Sequence, residues 1–413
     1  LRSFVCGSRD RFSPVPRDLQ RAGRIRAKYH RGCTTAPAGV PMKRIVLAAL
    51  AIVLGTAAYP LAAQKPEIVR IGFASPLTGP QGHYGKDNEN GARMAIDELN
   101  AGKPTIGGRP VQYELLVEDD QADPKVGTVV AQKLVDAKIH GMVGHFNSGV
   151  TIPAAKIYAG AGIPQLSVST NAKYTKLGFR TTFRVMADDD KQGATLAHYA
   201  VRTLKLRRLA VIDDRTAYGQ GLADAFAMTV KADGGLVVKR DFTTDKAVDF
   251  RGILTSIRAS RPEAIFYGGY DAQAGPLAKQ MKELGIDVPL LGGETINTTK
   301  FLELAGPAAE GHIASTPGAA LEKRPGGKAF AERYRARYKQ DIGLYAPYFY
   351  DAVMVLAGAM QKAGSSEPAK YLATVRNIKH SGITAEIAFD NSGELRQGLL
   401  SIFRVRNGKW VLQ

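Results

Sequence analysis

From residue 67 onward the chain alternates two hydrophobic periods. Short, nearly continuous apolar runs have the character of strands buried on both faces. Longer stretches repeat apolar residues every three or four positions, which marks one face of a helix. The first half predicts strands over 68–74, 111–118, 141–144 and 164–167. In the second of these, Tyr113, Leu115 and Val117 share one side. Helices are predicted over 84–99, with Ala92, Ala95, Ile96 and Leu99 on one face, over 124–137, with a proline near its start, and around 153–161. The rhythm then restarts. Helices over 190–204, 218–232, 250–259 and 272–284 alternate with strands over 208–212, 236–241, 264–267 and 289–291. Helices near 328–338 and 348–362 follow, and strands over 399–405 and 410–412 close the chain. Strand–helix alternation argues parallel sheets covered by helices on both faces. A restart within 413 residues, too many for one ordinary core, argues two such α/β units.

Before this rhythm the pattern is that of an address. Met42-Lys43-Arg44 is a basic head, residues 45–58 are almost purely apolar, and 59–63 end in small residues. This is the order of a secretory signal, expected to occupy residues 42–63 and to be cleaved after Ala62 or Ala63. No cysteine follows Ala63, so a lipid anchor is not indicated. Residues 1–41 are arginine-rich, hold Pro14, Pro16 and Pro37, and have no steady apolar period. They are read as an over-extended start or a disordered extension, with translation beginning at Met42. The alternative is a genuine basic tail.

Composition changes this picture little. Apolar residues make up 45% and charged residues 23%, as in folded soluble domains. Half of the net charge of +18 lies before Gln64. Beyond it, lysines and arginines are scattered among acids with no basic stripe interleaved with aromatics, so no nucleic-acid partner is expected. Both cysteines, Cys6 and Cys33, precede the signal, which leaves the exported part without disulfides, thiol chemistry or a cysteine metal site.

Enzyme motifs fail one by one. A P-loop ending at Gly85-Lys86 would need glycine where Pro80 stands and serine or threonine where Asp87 stands. No dinucleotide fingerprint follows a strand, and there is no nucleophile elbow. His140 and His145 flank an apolar strand and read as structural histidines. Glu118-Asp119-Asp120 offers a cation site or, more simply, a loop capping the helix after it. Asp188-Asp189-Asp190 reads as a linker with a helix cap. No catalytic residue, metal or cofactor is expected.

The binding signal lies in loops after strands, where open α/β sheets hold ligands. Phe146-Asn147-Ser148-Gly149 follows a strand and opens a helix. Its free N–H groups and the Ser148 hydroxyl suit a carboxylate. Ser167-Val168-Ser169-Thr170-Asn171 adds hydroxyl, amide and carbonyl groups. Tyr84, Tyr218 and Tyr270 are placed in strand-end loops, and Glu294 follows the 289–291 strand. A carboxylate among aromatic rings suits an ammonium group.

From about Ile68 onward the chain resembles the type I periplasmic binding proteins of branched-chain amino acid ABC transporters, the leucine/isoleucine/valine-binding family. Matching stretches are Leu77-Thr78-Gly79-Pro80 with Tyr84-Gly85, Gly91-Ala92, Glu118-Asp119-Asp120 before Asp123-Pro124, and Gly144-His145. Tyr218-Gly219-Gln220-Gly221, Tyr267-Gly268-Gly269-Tyr270 and Gly292-Gly293-Glu294 continue the match in order. The resemblance implies two Rossmann-like lobes joined by a three-strand hinge, with a cleft between them. Lobe one would comprise 64–186 and 317–398, and lobe two 187–316 and 399–413. Crossings are expected near 184–189, 314–318 and 397–401.

The resemblance also implies roles. Ser148 would hold a ligand carboxylate. The Ser169 carbonyl and Asn171, with Thr170 between them, would meet the α-amino and carboxylate groups. Glu294 would pair with the ammonium, Tyr218 would close from lobe two, and Tyr84, Tyr270 and Tyr345 would shape the side-chain pocket. Two departures stand out. The family often carries threonine where Asn171 stands, and the disulfide of some members, between positions matching Ala122 and Asn147, has no cysteines here. The implied protein is a periplasmic monomer that captures an amino-acid-like solute and delivers it to the membrane permease of an importer. A ligand-sensing receptor for an amide or aromatic acid is the alternative, because the fold alone does not choose. An enzyme using Glu294 and Tyr218 would lack a readable nucleophile–base–orienter set.

Overall fold

The computed structural model describes residues 65–413, so the expected signal and the segment before it lie outside the described residues. The chain after them opens with β1 (Glu67–Ser75), α1 (Gly82–Ala101), β2 (Thr105–Ile106) and β3 (Arg109–Asp119). Next come α2 (Pro124–Asp136), β4 (Gly141–Gly144), α3 (Ser148–Gly160), β5 (Gln165–Ser167) and β6 (Thr182–Arg184). These strands form one sheet in the order β2-β3-β1-β4-β5-β6. At its centre β1 runs parallel to both β3 and β4. That position explains its unbroken apolar run, since Val69, Ile71, Phe73 and Ala74 are covered on both faces.

The second sheet gathers β7 (Arg208–Asp213), β8 (Leu236–Phe242), β9 (Ala264–Gly268), β10 (Leu290–Gly292) and β11 (Ile313–Pro317), interleaved with helices. The helices are α4 (Asp189–His198), α5 (Ala217–Ala232), α6 (Arg251–Ala259), α7 (Asp271–Glu283) and α8 (Thr299–Ala305). After β11 the chain returns toward the first sheet through α9 (Gly327–Tyr338), α10 (Ala346–Ala363) and α11 (Pro368–Arg376). A short ribbon of β12 (His380–Ser381) and β13 (Glu386–Ile387) follows, and then β14 (Leu400–Arg406) and β15 (Lys409–Leu412). The last two are antiparallel strands that complete the second sheet in the order β15-β14-β11-β10-β9-β7-β8.

Helix α10 packs along α1 over the first sheet, and the Phe73 and Phe349 rings meet at 5.5 Å. The helices approach so closely that a Cβ at Gly91 would lie 2.0 Å from the Ala346 carbonyl oxygen, so only glycine fits. The buried Asp87 carboxylate fixes the start of α10. It accepts backbone N–H bonds from Gly343, Leu344, Tyr345 and Ala346 at 2.7–3.0 Å and the Tyr334 hydroxyl at 2.9 Å. A negative charge there also suits the helix dipole.

Several expectations need correction. The helix expected around Pro153 begins five residues earlier, at Ser148, so Pro153 lies inside it rather than at its start. The helix expected over 190–204 stops at His198 and runs on as a wider turn over Tyr199–Thr203. The segment expected as a crossing at 314–318 runs along β11, which bonds to β10 and β14 before the chain returns toward the first sheet. Asp123, not the triplet 118–120, caps α2, accepting from the Lys125 and Val126 N–H groups. Asp120 instead pairs with His145 at 2.7 Å, giving that histidine a carboxylate that lay out of sight in the linear sequence.

Candidate functional site

Each parallel sheet changes direction at its centre, between β1 and β4 and between β7 and β9. The loops beyond the carboxyl ends of these strands part there and leave room for a ligand. All nine residues singled out in the sequence lie at these ends and are buried or nearly so. Tyr84 and Tyr218 are in the first turns of α1 and α5 rather than in loops. Tyr270 and Tyr345 occupy the cap positions of α7 and α10, and Glu294 starts a single 3-10 turn after β10.

One end of the site is rich in donors. Ser148 opens α3, and its hydroxyl accepts from the Ser169 hydroxyl at 3.1 Å and the Asn171 N–H at 3.3 Å. The Ser169 N–H is in turn held by Ser167 at 2.9 Å. Two contacts bear on the expected roles. The Ser169 carbonyl accepts a hydrogen bond from Arg184 Nη1, so the atom expected to meet an ammonium faces a guanidinium. The Asn171 amide donates to the Ala217 carbonyl at 2.6 Å and so joins the two sheets' loops directly.

The other end is acidic. Glu294 is 3% exposed. Thr295 spends its single hydroxyl proton on the Gly269 carbonyl at 2.7 Å. Tyr218 must therefore be the donor there, its one proton shared between Thr295 Oγ1 at 2.9 Å and Glu294 Oε2 at 3.1 Å. Burial pushes the Glu294 carboxyl above its ordinary value, against the pull of the Tyr218 hydroxyl. Asp189, the first residue of α4, is 1% exposed and has no partner on either carboxylate oxygen. Burial raises its pKa well above the usual range, and the nearby Glu294 charge adds to the rise. Gln192 and the Tyr345 hydroxyl lie against Glu294 and pull its pKa down, but short of full hydrogen-bond geometry, so their buried polar atoms are left open. Buried polar groups are normally satisfied, so a group of open ones beside Glu294 calls for an explanation, and a polar ligand seated among them supplies one.

Between the two ends is an aromatic box. Tyr84 stacks on Phe146 at 5.2 Å and meets Tyr345 and Tyr270 edge-on at 5.9 and 6.3 Å. Phe146 meets Tyr345 at 4.8 Å, and Tyr218 meets Tyr270 at 5.3 Å. Phe146 was visible beside Ser148 but was not singled out; Asp189 and Gln192 carried no signal beyond a helix cap.

The two sides touch across the site. The Tyr84 hydroxyl donates to the Thr295 carbonyl at 2.5 Å, Asn147 Nδ2 to the Tyr270 hydroxyl at 2.9 Å, and His83 meets Asp271 at 2.9 Å. Clefts of about 530 and 340 Å³ flank this contact, each lined from both sides. Among the described residues no cluster has the make-up of a metal site.

Comparison with known proteins agrees with this architecture. The chain matches the family model described as periplasmic binding protein over residues 68–409. It is 34% identical to a Leu/Ile/Val-binding protein of Rhizobium johnstonii over 83% of this chain and 93% of that one. It is also similar to the crystal structure of a leucine-binding protein from Thermotoga maritima, with a TM-score of 0.78 and 27% identity over 84% of this chain and 97% of the other. A branched-chain amino acid transporter substrate-binding protein from Streptococcus pneumoniae, solved with isoleucine, aligns with a TM-score of 0.74 and 26% identity over 84% of this chain and 100% of the other.

Proposed function

The chain belongs to the periplasmic binding protein family, and on that premise we propose that it is the exported substrate-binding component of an ABC importer for an α-amino acid. One observation carries this reading. The site has two opposite chemical ends, hydroxyl and N–H donors around Ser148 and buried carboxylates at Glu294 and Asp189, separated by aromatic rings. That is the complement of a zwitterion with an apolar side chain. Leucine, isoleucine and valine, after which the Rhizobium relative is named, and the isoleucine bound in the Streptococcus structure have this form.

In this reading Ser148 receives the carboxylate, Ser169 and Asn171, with Thr170 between them, meet the α-amino and carboxylate groups, and Glu294 with Tyr218 receives the ammonium. Tyr84, Tyr270 and Tyr345 bound the side chain. The lobes are taken as 64–186 with 317–398 and 187–316 with 399–413, an assignment supported by the strands each sheet collects. The protein acts as a monomer, is exported to the periplasm through the signal at 42–63, and presents its closed form to permease subunits.

Calorimetry against branched-chain, aromatic and small polar amino acids, short amides and aromatic acids tests this. A branched-chain or related α-amino acid is expected to bind tightest. Glu294→Ala is expected to weaken it by about 2–5 kcal/mol, because truncation leaves a buried ammonium without its counter-charge. Binding of aromatic acids alone, or an unchanged Kd in the variant, overturns the reading.

A further inference from the structure

Arg184, the last residue of β6, is fully buried, and all five of its N–H donors are engaged by the protein itself. Its Nε lies 2.9 and 3.0 Å from the two Glu394 carboxylate oxygens. Its Nη2 donates to Glu394 Oε2 at 2.8 Å and to Thr175 Oγ1 at 3.0 Å. Its Nη1 donates to the Asn171 carbonyl at 2.9 Å and to the Ser169 carbonyl. Thr175 closes the ring by donating to Glu394 at 2.9 Å.

The partners lie in three separate parts of the chain. Ser169 and Asn171 bracket the ligand loop. Arg184 stands where the chain leaves the first sheet for α4, and Glu394 lies shortly before β14, where it re-enters the second. A turn centred on Gly393 is pressed onto β6: a Cβ at Gly393 would lie 2.0 Å from the Thr182 carbonyl oxygen, and the Arg184 N–H donates to the Gly393 carbonyl at 2.9 Å. Drawing the Ser169 and Asn171 carbonyls toward the guanidinium leaves the Asn171 N–H on Ser148 and its side-chain amide on Ala217.

We propose that Arg184, braced by Glu394, is the positioning residue of the ligand loop, setting affinity without touching the ligand. This rests on the amino-acid-binding reading above. A planar fork is required, since a lysine supplies one point charge and cannot span two carbonyls and a carboxylate together.

The test compares Arg184→Lys and Glu394→Gln with the wild type by calorimetry with L-leucine. Amide NMR of Ser169, Thr170 and Asn171 in the ligand-free protein provides a second readout. Asp351→Asn, which removes a buried carboxylate bonded to the Ile383 and Thr384 N–H groups away from the loop, serves as the control for lost stability alone. Both Arg184→Lys and Glu394→Gln are expected to raise Kd at least tenfold and to move the three amide signals. Asp351→Asn is expected to lower the melting temperature with Kd and amides unchanged. Should Arg184→Lys fail to fold, Glu394→Gln, which keeps one acceptor oxygen, decides. Unmoved loop amides in folded Glu394→Gln, or a Kd within twofold of wild type, overturns the inference. If the wild type binds no leucine, the amino-acid reading is weakened, while the amide signals still decide the role of Arg184.

Discussion

Glu294 and Asp189 share one buried space, and burial raises the pKa of both. Tyr218, Gln192 and Tyr345 face Glu294, with Asp189 and Tyr270 nearby, and the Arg184 guanidinium pulls the Asp189 pKa down against its burial. A raised pKa means that the ligand-free protein holds a proton at a pH where an ordinary glutamate has lost it. An ammonium ligand must displace that proton, so affinity is constant well above the raised pKa and falls as pH drops toward it, at values above the ordinary 4.5. Calorimetry of an α-amino ligand across this range is expected to show Kd weakening on acidification. Glu294→Gln is expected to leave a shallower profile, carried by Asp189 alone, at a weaker Kd, and an unchanged slope in that variant would sink the assignment. Glu294 and Ser148 were legible because each directly follows an apolar strand. Asp189 was not, because in the linear sequence it is one of three consecutive acids at a helix start. Only the fold separates Asp188, whose side chain caps α4 through the Lys191 N–H, from Asp189, which faces the site.

Tyr345 reaches the aromatic box because α10 starts where Asp87 allows it to start. One carboxylate satisfies four backbone N–H groups that would otherwise be unpaired at the helix entrance. Asp87→Asn keeps the shape but offers one acceptor oxygen and no charge. Hydrogen bonds to charged groups are worth about 1.5–3 kcal/mol each, so a loss of about 3 kcal/mol in unfolding free energy is expected by urea denaturation, with weaker ligand binding. A change under about 0.5 kcal/mol would mean that the helix entrance is held by other contacts. At this scale the long periodic helices and the apolar strands of both sheets were legible from their spacing alone. Strand β6 spans only three residues, too short to show a period. Strand β11 carries Ser315, Thr316 and Pro317, which read as linker residues until their pairing with β14 is seen. Asp87 itself looked like a misfit in a failed phosphate-loop pattern, and its partners lie some 250 positions away.

Across the whole molecule the two sheets are held together at the cleft by few direct bonds. Among the described residues these include Tyr84 to Thr295, Asn147 to Tyr270, Asn171 to Ala217, and His83 to Asp271. All but the last involve residues of the proposed site, so His83 is the contact that reports on closure rather than on ligand recognition. Its partner Asp271 is fully buried, and the same oxygen that meets His83 also accepts from the Thr298 hydroxyl at 2.7 Å, so Oδ2 keeps one donor if His83 is removed while Oδ1 has none in either case. His83 is about one-third exposed on its side chain, so water weakens the bond, and its loss is expected to cost only about 1 kcal/mol of closed-state stability. A ligand that binds the closed form then loses apparent affinity in proportion to the closed population, about fivefold for that energy. His83→Ala is therefore expected to raise Kd several-fold through faster release, measured by stopped-flow displacement. The ligand-saturated protein should keep the wild-type radius of gyration in X-ray scattering, while the ligand-free protein expands. An unchanged release rate would show that the lobes close without help from this bond. A changed radius in the saturated protein would show that His83 shapes the closed form instead of merely favouring it.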